Sequence, residues 1–151
     1  MLRERLTDAL KASLKSQDKI AVSTLRLILA ALKDRDIAAR GEGQTTPVGE
    51  AEILKLLQKM VSQRRESIIA YEKGGRQDLV DQEKAEILVI ESFLPKAMDA
   101  AETDNAIRAA IAEASAVSIK DMGKVMALLR ERFPGRMDFG KASGQVKALL
   151  G

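Results

Sequence analysis

The sequence predicts an all-α protein, and three observations carry that expectation. Apolar residues recur at spacings of three and four along most of the chain, the period of a helix with one buried face. No stretch alternates apolar and polar residues as a half-buried strand would. Aromatic residues make up only 3% of the chain against 46% hydrophobic residues overall, so the core must be built from Leu, Ile, Val, Ala and Met. That palette favours helices over strands.

Leu2, Leu6, Leu10 and Leu14 form the apolar stripe of a first helix. Ser16-Gln17-Asp18 interrupts it, with Asp18 placed to cap a second helix. That helix carries Ala21, Leu25, Ile28, Leu29 and Leu32 on one face and is expected to run to Ala38 or Ala39. Residues 40–49 hold Gly41, Gly43, Pro47 and Gly49 without periodicity, which predicts an exposed, mobile loop. The longest helix is expected from Glu50, with Ile53, Leu57, Met60, Val61, Ile68 and Tyr71 near one face, ending at Gly74-Gly75. A fourth is expected over Gln77 to Phe93, stopped by Leu94-Pro95, because proline disfavours helix at the residue before it.

The domain boundary is placed there. Residues 1–94 are read as an N-terminal helical domain of about four helices, and residues 95–151 as a small C-terminal subdomain of three. Thr103 or Asp104 can cap its first helix, which carries Ile107, Ala110, Ile111 and Ala114. Ser118 and Asp121 stand at capping-box spacing before Met122, Val125, Met126, Leu129 and Phe133. Pro134-Gly135 breaks that stripe. Asp138 can cap a last helix with Phe139, Ala142, Val146, Leu149 and Leu150 inward.

Composition narrows the chemistry. The chain has no cysteine and no histidine, so disulfides, thiolate nucleophiles, Cys/His zinc sites and Ser-His-Asp catalysis are excluded. No Walker loop, nucleophile elbow or dinucleotide loop is present. No catalytic residue, cofactor site or metal site is assigned. The carboxylates Asp78, Asp81, Glu83, Glu86 and Glu91 of the fourth helix read as a solvated acidic face. Gln63-Arg64-Arg65-Glu66 reads as a salt-bridged helical surface. The longest apolar run, Leu27 to Leu32, is far too short to span a membrane. The start Met1-Leu2-Arg3-Glu4-Arg5, with acids close by, reads as neither signal nor transit peptide. A cytoplasmic location is therefore expected.

Charge is nearly balanced at a net +3. The surplus lies at the end of the chain: from Ile119 onward seven basic residues stand against Asp121, Glu131 and Asp138. Lys124, Arg136, Lys141 and Lys147 can form a small basic surface suited to an RNA backbone, which is bound largely through charge and shape. The aromatics among them, Phe133 and Phe139, belong to the apolar stripes of their helices and are not free to stack a base, so sequence-specific single-strand binding is not expected. Gly123 admits either the close approach of a phosphate or close packing of two helices.

Asp121-Met122-Gly123-Lys124-Val125-Met126 and Val146-Lys147 resemble the tail motifs of the GatB/YqeY domain family. Thr24-Leu25-Arg26, Gln63-Arg64-Arg65-Glu66-Ser67 and Phe93-Leu94-Pro95 extend the resemblance over essentially the whole chain. Met137-Asp138-Phe139-Gly140 departs from the commoner Ala-Asp-Gly-Lys turn and removes one lysine. The resemblance implies an all-α fold with a larger N-terminal part and a small helical tail. It also implies a relation to the B subunit of the tRNA-dependent amidotransferase, where the related region helps hold tRNA while glutamine-derived ammonia is transferred. The expected function is an accessory module binding tRNA, or a tRNA-amidating or aminoacylating enzyme, through the basic tail. A helical protein-interaction domain without RNA binding is the alternative. A component of a glutamine-dependent carbon–nitrogen ligase acting in trans is a further one, although the B subunit's catalytic part has no counterpart here.

Overall fold

A computed structural model describes residues 1–151 as seven α-helices and one short 3₁₀ turn, with no strand. The all-α fold class is therefore observed. The chain divides into two compact units, Met1–Leu94 and Pro95–Gly151.

The first unit holds α1 (Leu2–Ser16), α2 (Lys19–Gly41), α3 (Glu50–Lys73) and α4 (Gln77–Glu91). Gln17 turns the chain out of α1 in the left-handed conformation, φ 60°. Asp18 then caps α2, its Oδ1 accepting the Ala21 N–H at 3.1 Å. Gly75, at φ 70°, makes the reversal between α3 and α4, a conformation that suits glycine. The core joins all four helices: Leu6, Leu25, Ile28, Ile53, Leu57 and Ile90 are fully buried. Burying each such side chain contributes roughly 1.5–3 kcal/mol.

Two polar networks differ from the sequence expectation. The loop after α2 is anchored rather than free along its length. Arg3 grips Asp36 through its two terminal guanidinium nitrogens, Nη1 and Nη2, at 2.8 and 2.6 Å, and Nη2 also donates to the Val48 carbonyl at 2.9 Å. Val48 N–H in turn donates to Asp36 Oδ1 at 3.0 Å. This network holds the Asp36 carboxyl below the ordinary aspartate range, the Arg3 hydrogen bond being the largest cause. The acidic face of α4 is also not uniformly solvated. Glu86 is buried and accepts from Arg64 Nε at 3.1 Å, while Arg65 pairs with Glu91 at 2.9 Å. Burial, then the neighbouring Glu86, pushes the Glu83 carboxyl up. The Arg64-Arg65 pair thus clamps α3 to α4.

The second unit holds α5 (Ala100–Glu113), the 3₁₀ turn Ile119–Asp121, α6 (Met122–Arg132) and α7 (Phe139–Leu150). The start of α5 lies one turn earlier than periodicity suggests. Asp99 is its cap, accepting the Glu102 N–H at 2.7 Å, and Thr103 lies inside the helix with its hydroxyl donating to the Asp99 carbonyl at 2.8 Å. Asp138 caps α7 through the N–H groups of Gly140 and Lys141 at 3.0 and 3.2 Å. Ile107, Val125, Leu129, Ala142 and Val146 form the small core, with Met126 and Met137 filling it. Leu149, expected inward, is exposed.

Candidate functional site

The basic tail residues all lie in the second unit, and its helix directions decide which of them meet. The Phe139 ring at the start of α7 lies under Arg130 near the end of α6, with the guanidinium 5.9 Å from the ring centre. At the other extreme, Gly151, just past α7, sits against the Ile119 side chain, which would lie 3.6 Å from an added Cβ. Helices α6 and α7 are therefore antiparallel. Lys124, in the first turn of α6, and Lys147, in the last turn of α7, share one end of this hairpin. Lys141, in the first turn of α7, belongs to the other end with Arg130. Six residues of helix separate Lys141 from Lys147, roughly 9 Å along the axis and a third of a turn around it.

Arg136 serves neither end as a free cation. Its Nε donates to the Lys96 carbonyl at 3.0 Å and its Nη2 reaches Glu102 at 3.5 Å. Its own carbonyl accepts from Met98 N–H at 2.9 Å. The side chain thus fastens the turn after α6 to the segment leading into α5. Two further arginines are neutralised: Arg108 by Asp104 at 2.9 Å, and Arg132 by Glu113, whose carboxyl it holds below the ordinary range.

The four predicted cations are consequently not one patch. The hairpin end that carries Lys124 and Lys147 instead gathers Lys120, from the 3₁₀ turn, which the sequence reading did not single out. All three lysines are exposed and none makes an ion pair. Lys120 was legible only as a residue between the two members of a capping motif. The nearby acid, Asp121, is occupied: its Oδ2 accepts the Val117 N–H at 3.0 Å. That hydrogen bond, a second from Ser118 and, last, the charge of Lys124 hold its carboxyl low.

Gly123 is exposed beside Lys124, and a Cβ there would meet nothing within 4 Å. Close helix packing is therefore not what its size serves. Val117, 85% exposed, with Ile119 and Leu149 adds an aliphatic surface at this end. Both aromatic rings of the unit, Phe133 and Phe139, lie at the opposite end. The arrangement offers fixed positive charge and aliphatic surface. It suits phosphate contact better than base stacking.

A mitochondrial protein of Eremothecium gossypii, "Altered inheritance of mitochondria protein 41", is 33% identical over 89 residues, covering 59% of this chain and 46% of that protein. Its namesake in Lachancea thermotolerans is 30% identical over 95 residues, covering 63% and 49%. That of Saccharomyces cerevisiae strain YJM789 is 27% identical over 95 residues, with the same coverage of 63% and 49%. The chain spans about half the length of these curated relatives. Their naming as mitochondrial proteins overturns the expectation of a purely cytoplasmic location, which rested on the short apolar runs and on the charges near Met1. The profile of the YqeY-like protein family matches residues 3–150, and the chain belongs to that family.

Proposed function

We propose that this YqeY-like chain is an accessory module that holds the phosphate backbone of tRNA at the Lys120–Lys124–Lys147 end of the α6/α7 hairpin. The observation that carries the reading is the contrast among the cations of the second unit. Three of its arginines are matched with carboxylates, whereas these three lysines are exposed, without an ion pair and gathered at one end; Arg130 and Lys141, also unpaired, lie at the other end, Arg130 over the Phe139 ring. Exposed lysines without an ion pair on rigid elements favour polyphosphate partners through counterion release. The placement of both aromatic rings at the far end supports binding by backbone rather than by base. A tRNA-processing enzyme as the direct partner is the second reading, favoured by exposed Val117, Ile119 and Leu149 beside the same lysines.

The test is a filter-binding titration of unfractionated tRNA with the full chain at low salt. The parent binds weakly, on the order of 10⁻⁴ M or tighter. Lys124→Ala with Lys147→Ala weakens binding at least tenfold, whereas Lys141→Ala, at the other end, stays within about threefold. A parent that fails to bind at low salt, or a double variant that binds like the parent, puts the protein-partner reading in front.

A further inference from the structure

The stripe Leu2, Leu6, Leu10, Leu14 runs the length of α1, yet its burial fades toward the α1–α2 turn. Leu2 and Leu6 are buried, Leu10 is half-buried and Leu14 is 47% exposed. Across the turn, Leu27 of α2 is 52% exposed, and Ile20 is exposed as well. The sequence therefore continues an apolar face past the point where the four-helix core covers it. Between Leu14, Val22 and Leu27 lies an open groove of about 750 Å³. Its cationic rim is Lys19 and Arg26, with Lys15 nearby on α1, none of them in an ion pair. The adjacent acid, Asp18, is engaged in capping α2.

We infer that this groove docks an amphipathic helix of a partner protein, with Leu- or Ile-type anchors one turn apart and Asp or Glu on its flanks. The inference concerns the first unit and does not depend on the tRNA reading. Three features of the groove select that occupant. A small polar ligand needs converging hydrogen-bond groups to orient it. The uncharged polar side chains of the lining are only Ser23, whose hydroxyl already donates to the Ile20 carbonyl at 3.1 Å, and Gln17. A helix satisfies its own backbone and needs from the groove only apolar contact, which Leu14, Val22 and Leu27 supply. Lys15, Lys19 and Arg26, which outnumber the single Asp18 carboxylate, then match acidic flanks and repel basic ones.

The experiment titrates three synthetic helical peptides into the isotope-labelled full chain and reads amide shifts. The peptides share Leu at positions one turn apart and differ only in Glu, Gln or Lys on the flanks. The Glu peptide is expected to shift amides within residues 14–27 and to bind at least tenfold tighter than the Lys peptide. Leu27→Glu, at a position open to solvent, should weaken it at least tenfold with the remaining spectrum unchanged, and Arg26→Glu should narrow the preference for Glu flanks. Shifts lying elsewhere, equal affinity for all three peptides, or no effect of Leu27→Glu would overturn the inference. So would co-sedimentation with phosphatidylglycerol vesicles in the absence of peptide binding, which would assign the face to lipid.

Discussion

Removing Arg64 should destabilise the first unit far more than an ordinary surface charge would. Its guanidinium and the Glu86 carboxylate are only 13% and 11% exposed, so the pair sits largely out of water between α3 and α4. Arg64 also donates to the Met60 carbonyl at 3.3 Å, and Gln82 donates to Glu86 at 3.4 Å. Arg64→Met keeps the aliphatic stem but leaves a buried carboxylate with one long hydrogen bond. Breaking such a pair costs about 3–5 kcal/mol. The lower figure applies because Gln82 remains and some solvent reaches the site. For a unit of this size, roughly 3 kcal/mol corresponds to a fall in Tm of more than about 12 °C. Replacing both partners, Arg64→Met with Glu86→Leu, removes the stranded charge and should recover most of that loss. The chain has one tyrosine and no tryptophan, and Tyr71 lies in α3. Tyrosine fluorescence during urea or thermal unfolding therefore reports on this unit. A single variant within about 0.5 kcal/mol of the parent, or a double variant as damaged as the single one, would show that the pair does not hold α3 to α4.

Three further outcomes are expected. Asp36→Asn should cost about 1–2 kcal/mol at neutral pH, discounted for the partial exposure of Arg3. Because the folded Asp36 carboxyl is held low, its contribution is fully present above the ordinary aspartate value, about 3.9, and fades as pH falls through the folded value. Urea unfolding should thus separate the two proteins at pH 7 and not in strong acid. Asp99→Ala should cost the second unit about 1 kcal/mol by removing the α5 cap, read as a fall in urea midpoint by circular dichroism. Gly123→Ala should raise stability by about 0.5–1 kcal/mol, since the added methyl meets nothing; a lowered Tm would contradict the open surroundings of that residue.

The fold was largely legible because its determinants are local. Asp18 and Asp138 announce helix starts next to their own apolar stripes, and both accept the expected N–H groups. Asp99 was missed because the turn it caps, Ala100 to Thr103, carries no apolar stripe, and periodicity surfaces only at Ile107. What eluded the sequence is contact across long separations. Glu86 looks like one acid among several until Arg64, 22 residues earlier, is brought beside it. Arg136 looks like a free cation in a turn until Lys96, 40 residues away, supplies a carbonyl. The candidate site narrowed for the same reason: only the antiparallel course of α6 and α7 puts Lys147 at the end of Lys124 and Lys120, and removes Lys141 from it.

The salt dependence of tRNA binding counts the phosphates that the protein neutralises. Three lysines at the hairpin end correspond to a slope of log K on log salt of roughly −2 to −2.7. Between about 50 and 200 mM salt the parent should then lose roughly 20- to 40-fold in affinity. The Lys124→Ala, Lys147→Ala variant, with Lys120 alone remaining, should show a slope nearer −0.7 to −0.9 and lose only about threefold. Parallel slopes for the two proteins, with unchanged helical content, would contradict the assignment of this end as the phosphate-binding surface.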